Sequence, residues 1–332
     1  EGDRQRIYEK GILWLVRGFY LLLLYRVLYY YVIPSPGEVK TWTLMVVYHV
    51  VNYLLIFRLI GFFFISTGIL CLLGYNLPKV FDNMFLANSF SDLWRRLNIY
   101  WKDYIMKLFY FPLYFKFRKS WTHAVFKIVL IIFVVNWFMH GYQWFWILGN
   151  FPIRDTDVIF WGVFGILVAF NSIYEMRKSR TKVEEIKSER KVGAVIALQT
   201  SLMFSFMTVL WTFWTSPSVQ HWTDSFDRLI SFRWKDLWII GGTLLSSFFF
   251  LYLGVLMFKR WGIHDRTSVI GWNNQLTVLP ILLILINLAS MASVRKTLSN
   301  LTGIDLSGLY EEKLNDADEE QIFEGYYEEL IV

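Results

Sequence analysis

The sequence predicts an all-α fold: a polytopic transmembrane helix bundle with an amphipathic or re-entrant helical segment on the cytoplasmic side. Three observations predict it. Of the 332 residues, 55% are hydrophobic and 20% aromatic, while 18% are charged, below the ~25% of ordinary soluble domains. Mean hydropathy is +0.39, and a soluble protein of this size needs polar groups to cover its outside that this chain does not have. The apolar residues also arrive in unbroken blocks about as long as a spanning helix, ~20 residues. Membrane β-strands would be ~10 residues long with alternating polarity. A soluble globular enzyme, a disordered chain and a secreted disulfide scaffold are excluded.

The expected spans are Gly11–Ile33, Thr41–Gly74, Val125–Leu148, Asp157–Tyr174, Val192–Thr215, Leu237–Phe258 and Leu276–Ser293. The first carries Arg17 and Arg26 and either crosses the bilayer or lies in its interface. The second is longer than one crossing needs, so a tilt or a break is expected near Arg58–Gly61. Between the second and third runs, Asn83–Lys119 is aromatic and basic together. Ser89-x-x-Asp92 has the form of a capping box. After it Leu93, Leu97, Tyr100, Tyr104 and Leu108 recur at helical spacing opposite Asp92, Arg95, Asn98 and Lys102. That pattern predicts one amphipathic helix at the cytoplasmic leaflet.

The loops set the orientation. Lys116, Arg118 and Lys119, the basic stretch Glu175–Lys191, and Lys259, Arg260 and Arg266 all face the cytoplasm if the third to seventh runs each cross once. Gly149–Asp157 and Ser216–Asp236 then face outward, as does the acidic tail Val294–Val332. The expected organisation is a membrane domain over 1–293 and an extramembranous tail over 294–332. The net charge of +6 follows from cytoplasmic loops and anionic headgroups. With no zinc-finger spacing or basic arm, no nucleic-acid partner is expected; the lipid bilayer is. The one cysteine, Cys71, lies in an apolar run, which excludes an intrachain disulfide and predicts a buried or lipid-facing thiol; no metal site is expected. The chain starts at Glu1 without a methionine or a signal-peptide core, which reads as a processed chain or a fragment.

Polar groups inside a membrane are costly and therefore functional candidates. His140, in FVVNWFMHGYQWFWI, is the foremost. Asn136 lies one turn before it and Gln143 and Trp144 about one turn after, on a shared face. A neutral imidazole can take a proton from a hydroxyl, and Asn136 can fix its tautomer; a hydrogen bond between helices explains the same residue without chemistry. Asn98 reads as part of a solvated face. Arg95 and Arg96 suit either a phosphate or pantetheine group or lipid headgroups. Trp94, Trp101 and Trp144 suit an acyl path or plain packing. His49 and Arg58 lie within the second run, and His123, His221 and His264 fall in loops. No Gly-rich nucleotide loop, HExxH or GxSxG pattern is present, so ATPase, metalloprotease and α/β-hydrolase chemistry has no support.

The stretch LLGYNLPKVFDNMFLANSFSDLWRRLNIYWKDYIMKLFYFPL, followed by NWFMHGYQWFW, resembles the membrane-bound O-acyltransferase (MBOAT) family. The nearest likeness is to its bacterial branch of alginate O-acetyltransferases and teichoic-acid D-alanyl transferases. The likeness covers Gly74 to Trp146. It implies that His140 is the family's near-invariant histidine and that Asn98, forty-two residues earlier, is its second position, both catalytic. On the acyl-transfer reading, Asn136, Arg95, Arg96, Trp94, Trp101 and Trp144 are the candidate substrate-binding residues. Met139 stands where the family usually has Trp, and Asn98 where much of the bacterial branch has His. Members carry further N-terminal spans, so the resemblance implies that the chain is the latter part of a longer protein.

The function so implied is O-acylation in the bacterial cell (inner) membrane. An acyl group, acetyl by the likeness, passes from a cytoplasmic thioester, acyl-CoA or an acyl carrier protein, to a hydroxyl of an extracytoplasmic glycan or lipid. No bound cofactor is expected; the thioester is a cosubstrate. Two alternatives stay open: a transporter or flippase, and a noncatalytic scaffold that meets an extracytoplasmic partner protein or domain through the tail.

Overall fold

The computed structural model describes residues 2–249 apart from 120–122, 150, 152, 181–188, 228, 230–233, 239, 243–244 and 246–247. Among the described residues the chain is helical and contains no strand. Five segments are long and apolar enough to cross a membrane: Arg4–Val32, Trp42–Leu72, Ala124–Gln143, Asp155–Arg177 and Gly193–Thr215. They coincide with the first five expected runs. The expected runs Leu237–Phe258 and Leu276–Ser293, the loop cations Lys259, Arg260 and Arg266, His264 and the tail 294–332 lie wholly or largely outside the described residues.

The described residues fall into two compact units. The first is built on α1 (Gly2–Val27) and α3 (Phe57–Leu72). Two glycines on each helix, Gly11 and Gly18 on α1 and Gly61 and Gly68 on α3, bring the backbones together. A Cβ on Gly18 would lie 2.7 Å from the Gly61 carbonyl oxygen, and one on Gly68 would lie 2.8 Å from that of Gly11. Small residues allow this in membranes, where apolar burial no longer drives helices together. Cys71, fully buried, packs its Cβ against Gly11, so the expected structural thiol belongs to this seam. α1 starts nine residues before the expected Gly11, and runs through a wide i→i+5 turn, Leu28–Val32. It stops before Pro34 and Pro36, where proline disfavours helix in the preceding residue. Arg58 sets its guanidinium over the Tyr25 ring, 5.6 Å from the centroid, and Lys10 donates to Asn76 Oδ1 at 3.1 Å and to the Leu77 carbonyl.

The expected break in the second run falls at Leu55–Ile56, between α2 (Trp42–Leu54) and α3, two to three residues before Arg58. α2 belongs to the second unit. There it joins α4 (Phe90–Arg96), α5 (Ile99–Ile105), α6 (Phe111–Phe117), α7 (Ala124–Leu148), α8 (Asp155–Arg180), α9 (Glu189–Thr215) and α10 (Val219–Asp227). Tyr53 is 1% exposed, ringed by Phe85, Phe204 and Trp211 at 5.4–5.6 Å. α7 and α8 pack closely at Gly165, where a Cβ would meet Phe133 at 2.8 Å. The hydroxyls of α9 bond to carbonyls a turn earlier (Thr212 to Thr208, Thr215 to Trp211), and Thr215 also reaches Asn52 Oδ1 on α2 at 3.3 Å. Polar groups in an apolar helix are thereby satisfied within the protein. On the outside, Leu198, Leu202, Phe206 and Val209 form an exposed stripe along α9, a surface suited to hydrocarbon and not to water.

The single amphipathic helix expected after Ser89 is corrected. The chain instead forms α4 and α5, broken at Leu97–Asn98, with Asn98 left-handed at φ 37°. The break resets the helical face. Leu93 and Ile105 are buried, whereas Tyr104 and Leu108, expected on the same apolar face as Leu93, are more than half exposed. Long-range backbone bonds hold the break in place: Asp82 N–H to the Arg96 carbonyl (3.1 Å) and Ile99 N–H to the Val80 carbonyl (2.7 Å). The capping box forms by halves. Ser89 Oγ accepts from the Asp92 N–H at 3.1 Å, but the Asp92 carboxylate accepts from Asn88 N–H, not from Ser89.

Candidate functional site

Asn98 lies at the start of α5. Asparagine is one of the few residues other than glycine that visit the left-handed region readily, and from there its Oδ1 accepts the Trp101 backbone N–H at 3.3 Å. The cap fixes Trp101 in the first turn of α5, and the Trp101 indole N–H donates to Oδ1 of Asn136 on α7. Asn136 is 3% exposed. One helical turn further along α7 stands His140. Asn98, Trp101 and Asn136, singled out separately in the sequence, thus form one hydrogen-bonded series from α5 to α7, and His140 stands one turn beyond its end.

His140 is a half-buried residue whose imidazole lies between two indoles, 5.7 Å from the Trp161 ring and 5.5 Å from the Trp214 ring. Trp214, on α9, stacks on Phe160 at 4.5 Å and donates its indole N–H to Asp157 Oδ1 at 2.6 Å. Arg154 meets the same carboxylate through Nε at 3.1 Å and Nη2 at 3.4 Å, with both side chains only 12–13% exposed. Gly141 has a reason of its own: a Cβ there would sit 2.8 Å from Phe151 Cζ, so the glycine lets the loop after α7 fold back onto the helix beside His140.

Arg95 and Arg96 diverge. Arg95 reaches α8, where its Nη1 donates to Glu175 Oε2 at 2.8 Å; this hydrogen bond holds its guanidinium charged more firmly than that of a free arginine. Arg96 turns back, Nε to Asp92 Oδ2 at 2.9 Å and Nη1 to the Asp82 carbonyl at 3.1 Å, and ties α4 to the loop before it. α4 is further docked on α8 by the Phe90 N–H to Asn171 Oδ1 (3.2 Å), which satisfies one of the free donors at its start.

Trp94 packs on Phe133 at 4.9 Å and, with Arg95, borders a cavity of about 480 Å³ among α4, α5, α7 and α8. His140, Asn98 and Asn136 are not among the residues lining this cavity. Rings nonetheless connect it to the imidazole: Phe133 lies 6.3 Å from Trp161, and Trp161 lies against His140. Burial raises the pKa of the Tyr110 phenol, which also lines the cavity, so that hydroxyl stays neutral. The side chain of Trp144 lies outside the described residues.

Elsewhere, His49 is buried and donates from Nδ1 to the Met45 carbonyl at 2.8 Å, the pattern of a histidine satisfied within its own helix. His221 lies in α10 and not in a loop. Among the described residues no three His, Cys, Asp or Glu side chains gather as a metal site would require. Sequence reading missed Trp161, Trp214, Asp157 and Arg154. The usable signal was the pair Arg154 and Asp157, spaced to meet across the first turn of a helix, with Asp157 57 residues from Trp214. No family model, curated protein or solved structure matches the chain.

Proposed function

We propose that the protein is a membrane-embedded O-acyltransferase of the MBOAT type in which His140 is the general base. The observation that carries this reading is the connected series Asn98–Trp101–Asn136 ending one turn below an imidazole set between Trp161 and Trp214. Such a setting gives a neutral histidine a fixed place, walls that limit water, and an amide neighbour.

In the reaction, a ring nitrogen of His140 takes the proton of the acceptor hydroxyl as its oxygen attacks the thioester carbonyl carbon. The resulting tetrahedral oxyanion accepts a hydrogen bond from an amide, Asn98 or Asn136. The C–S bond then breaks, and the imidazolium returns its proton to the departing thiolate. General-base help of this kind contributes roughly 10²–10⁴-fold, and loss of one oxyanion donor costs about 10²–10³ in turnover. Acetyl is the acyl group the resemblance favours. The donor is an acyl-CoA or acyl carrier protein on the cytoplasmic side, where the last turns of α8 hold Arg177 and Lys178. The acceptor is a glycan or lipid hydroxyl on the far side, toward which the His140 end of α7 points, in a bacterial cell membrane.

The test is to reconstitute the complete protein with radiolabelled acetyl thioester and envelope glycans. Base-labile label on the glycan is expected with the native chain and none with His140→Ala inserted to the same level. Full transfer by the His140→Ala protein removes the base assignment. Label that crosses the bilayer without forming an ester favours a transporter, and neither outcome favours a scaffold.

A further inference from the structure

The acyl-transfer reading gives the cavity among α4, α5, α7 and α8 no part in the bond-making step, since His140 does not line it. Its volume of about 480 Å³ falls in the range of built ligand sites, ~300–1,000 Å³. The floor is apolar: Met106, Ile132, Phe133 and Val168. The rim is cationic, with Arg95, Lys102 and Lys107 against one lining carboxylate, Asp103. These cations are not equivalent. Arg95 is engaged by Glu175 and Lys102 by Asp103, each at 2.8 Å. Lys107 is exposed and forms no ion pair among the described residues.

The surface beside this rim shows what reaches it. Tyr104, Leu108, Phe111 and Phe115 are 44–63% exposed along α5, α6 and the wide helical turn Met106–Tyr110 that joins them, interleaved with Lys107, Lys116 and Arg118. Exposed aromatics among bases mark a segment seated at the level of anionic headgroups. Phe111 belongs to both the exposed surface and the cavity lining, so the mouth of the cavity opens at that level.

We propose that this cavity binds one anionic phospholipid from the surrounding leaflet. An acyl chain lies on Ile132, Phe133 and Val168, and the headgroup phosphate meets Lys107, with Lys102 beside it. Binding is noncovalent and forms no part of the acyl-transfer chemistry.

The full chain in neutral detergent is titrated with phosphatidylglycerol or with phosphatidylcholine of the same acyl chains, and occupancy is read by native mass spectrometry. Phosphatidylglycerol is expected to bind at least several-fold more tightly. Lys107→Glu should weaken phosphatidylglycerol by about fivefold or more, as one surface cation contributes, and leave phosphatidylcholine unchanged. Ile132→Trp, which fills the floor, should weaken both. Phosphatidylglycerol with a photoreactive group in its acyl chain should label Ile132 or Phe133. Equal affinity for the two lipids, or labelling confined to outward-facing Val134 and Phe170, overturns the proposal. So does displacement by millimolar inorganic phosphate alone, which marks a simple anion site. Occupancy by palmitoyl-CoA in preference to phosphatidylglycerol also overturns it and assigns the cavity to the thioester. The lipid outcomes leave the His140 assignment to its own test, which reads ester formation.

Discussion

Trp101 joins two residues that the sequence presents separately, and it does so with one hydrogen atom: the indole N–H that Asn136 accepts. Trp101→Phe keeps most of the ring and removes that donor, leaving a buried amide oxygen short of a partner. The expected cost is about 1 kcal/mol in stability, read as a lower unfolding temperature in detergent, with reduced transfer. Replacing both partners (Trp101→Phe with Asn136→Leu) should recover much of that stability and none of the transfer. If the double variant is as active as the native chain, Asn136 has no part in the chemistry. Asn98 is separated by a similar comparison. Asn98→Gly preserves the left-handed turn but has no carboxamide, whereas Asn98→Ala loses both. Transfer lost equally in the two variants, with the fold kept by the glycine, places the amide in the reaction; activity retained by Asn98→Gly alone reduces Asn98 to a turn residue.

The same asparagine decides how legible its element was. The five apolar runs could be read because their signal is local: ~20 apolar residues in a row suffice, whatever they pack against. The break at Leu97–Asn98 could not. α4 and α5 are seven residues each, and helical spacing continues across the joint, so periodicity alone favours one helix. The joint is fixed by bonds to Val80 and Asp82 far along the chain, which no local pattern contains. Among the site candidates, His140 and Asn136 could be read as polar residues in an apolar run. Trp161 and Trp214 could not, because a tryptophan in a span looks the same whether it packs a helix or flanks an imidazole. The α1–α3 seam was also missed, although its glycines stand seven apart on both helices. It yields a sharp prediction. Gly18→Leu or Gly68→Val forces side-chain atoms into backbone less than 3 Å from the new Cβ, and overpacking costs roughly 1–3 kcal/mol or more. Gly162→Leu on α8, where nothing lies within 4 Å of the new Cβ, should unfold at the native temperature in detergent. Equal tolerance of all three refutes the close seam.

For the whole molecule the decisive quantity is which end of each helix faces which compartment, since the proposed reaction brings a donor and an acceptor together from opposite sides. α8 offers the cleanest measurement. Its 26 residues extend about 39 Å, more than the ~30 Å hydrocarbon core. Its first turn holds Asp155 and Asp157, and its last turns hold Arg177, Lys178 and Arg180. Basic residues favour the cytoplasmic side, so α8 should run inward from the Arg154–Asp157 pair to Arg177. The native thiol will not interfere, because Cys71 is the one cysteine and is fully buried. Ile153→Cys, at a position 64% exposed, should react with an impermeant maleimide added to intact cells. Arg177→Cys should react only after the membrane is opened. Labelling of both positions from the same side means that α8 does not cross. Where that shared side is the cytoplasm, the His140 end of α7 faces inward with Ile153, and an acceptor beyond the membrane could not reach it, however well the imidazole is held.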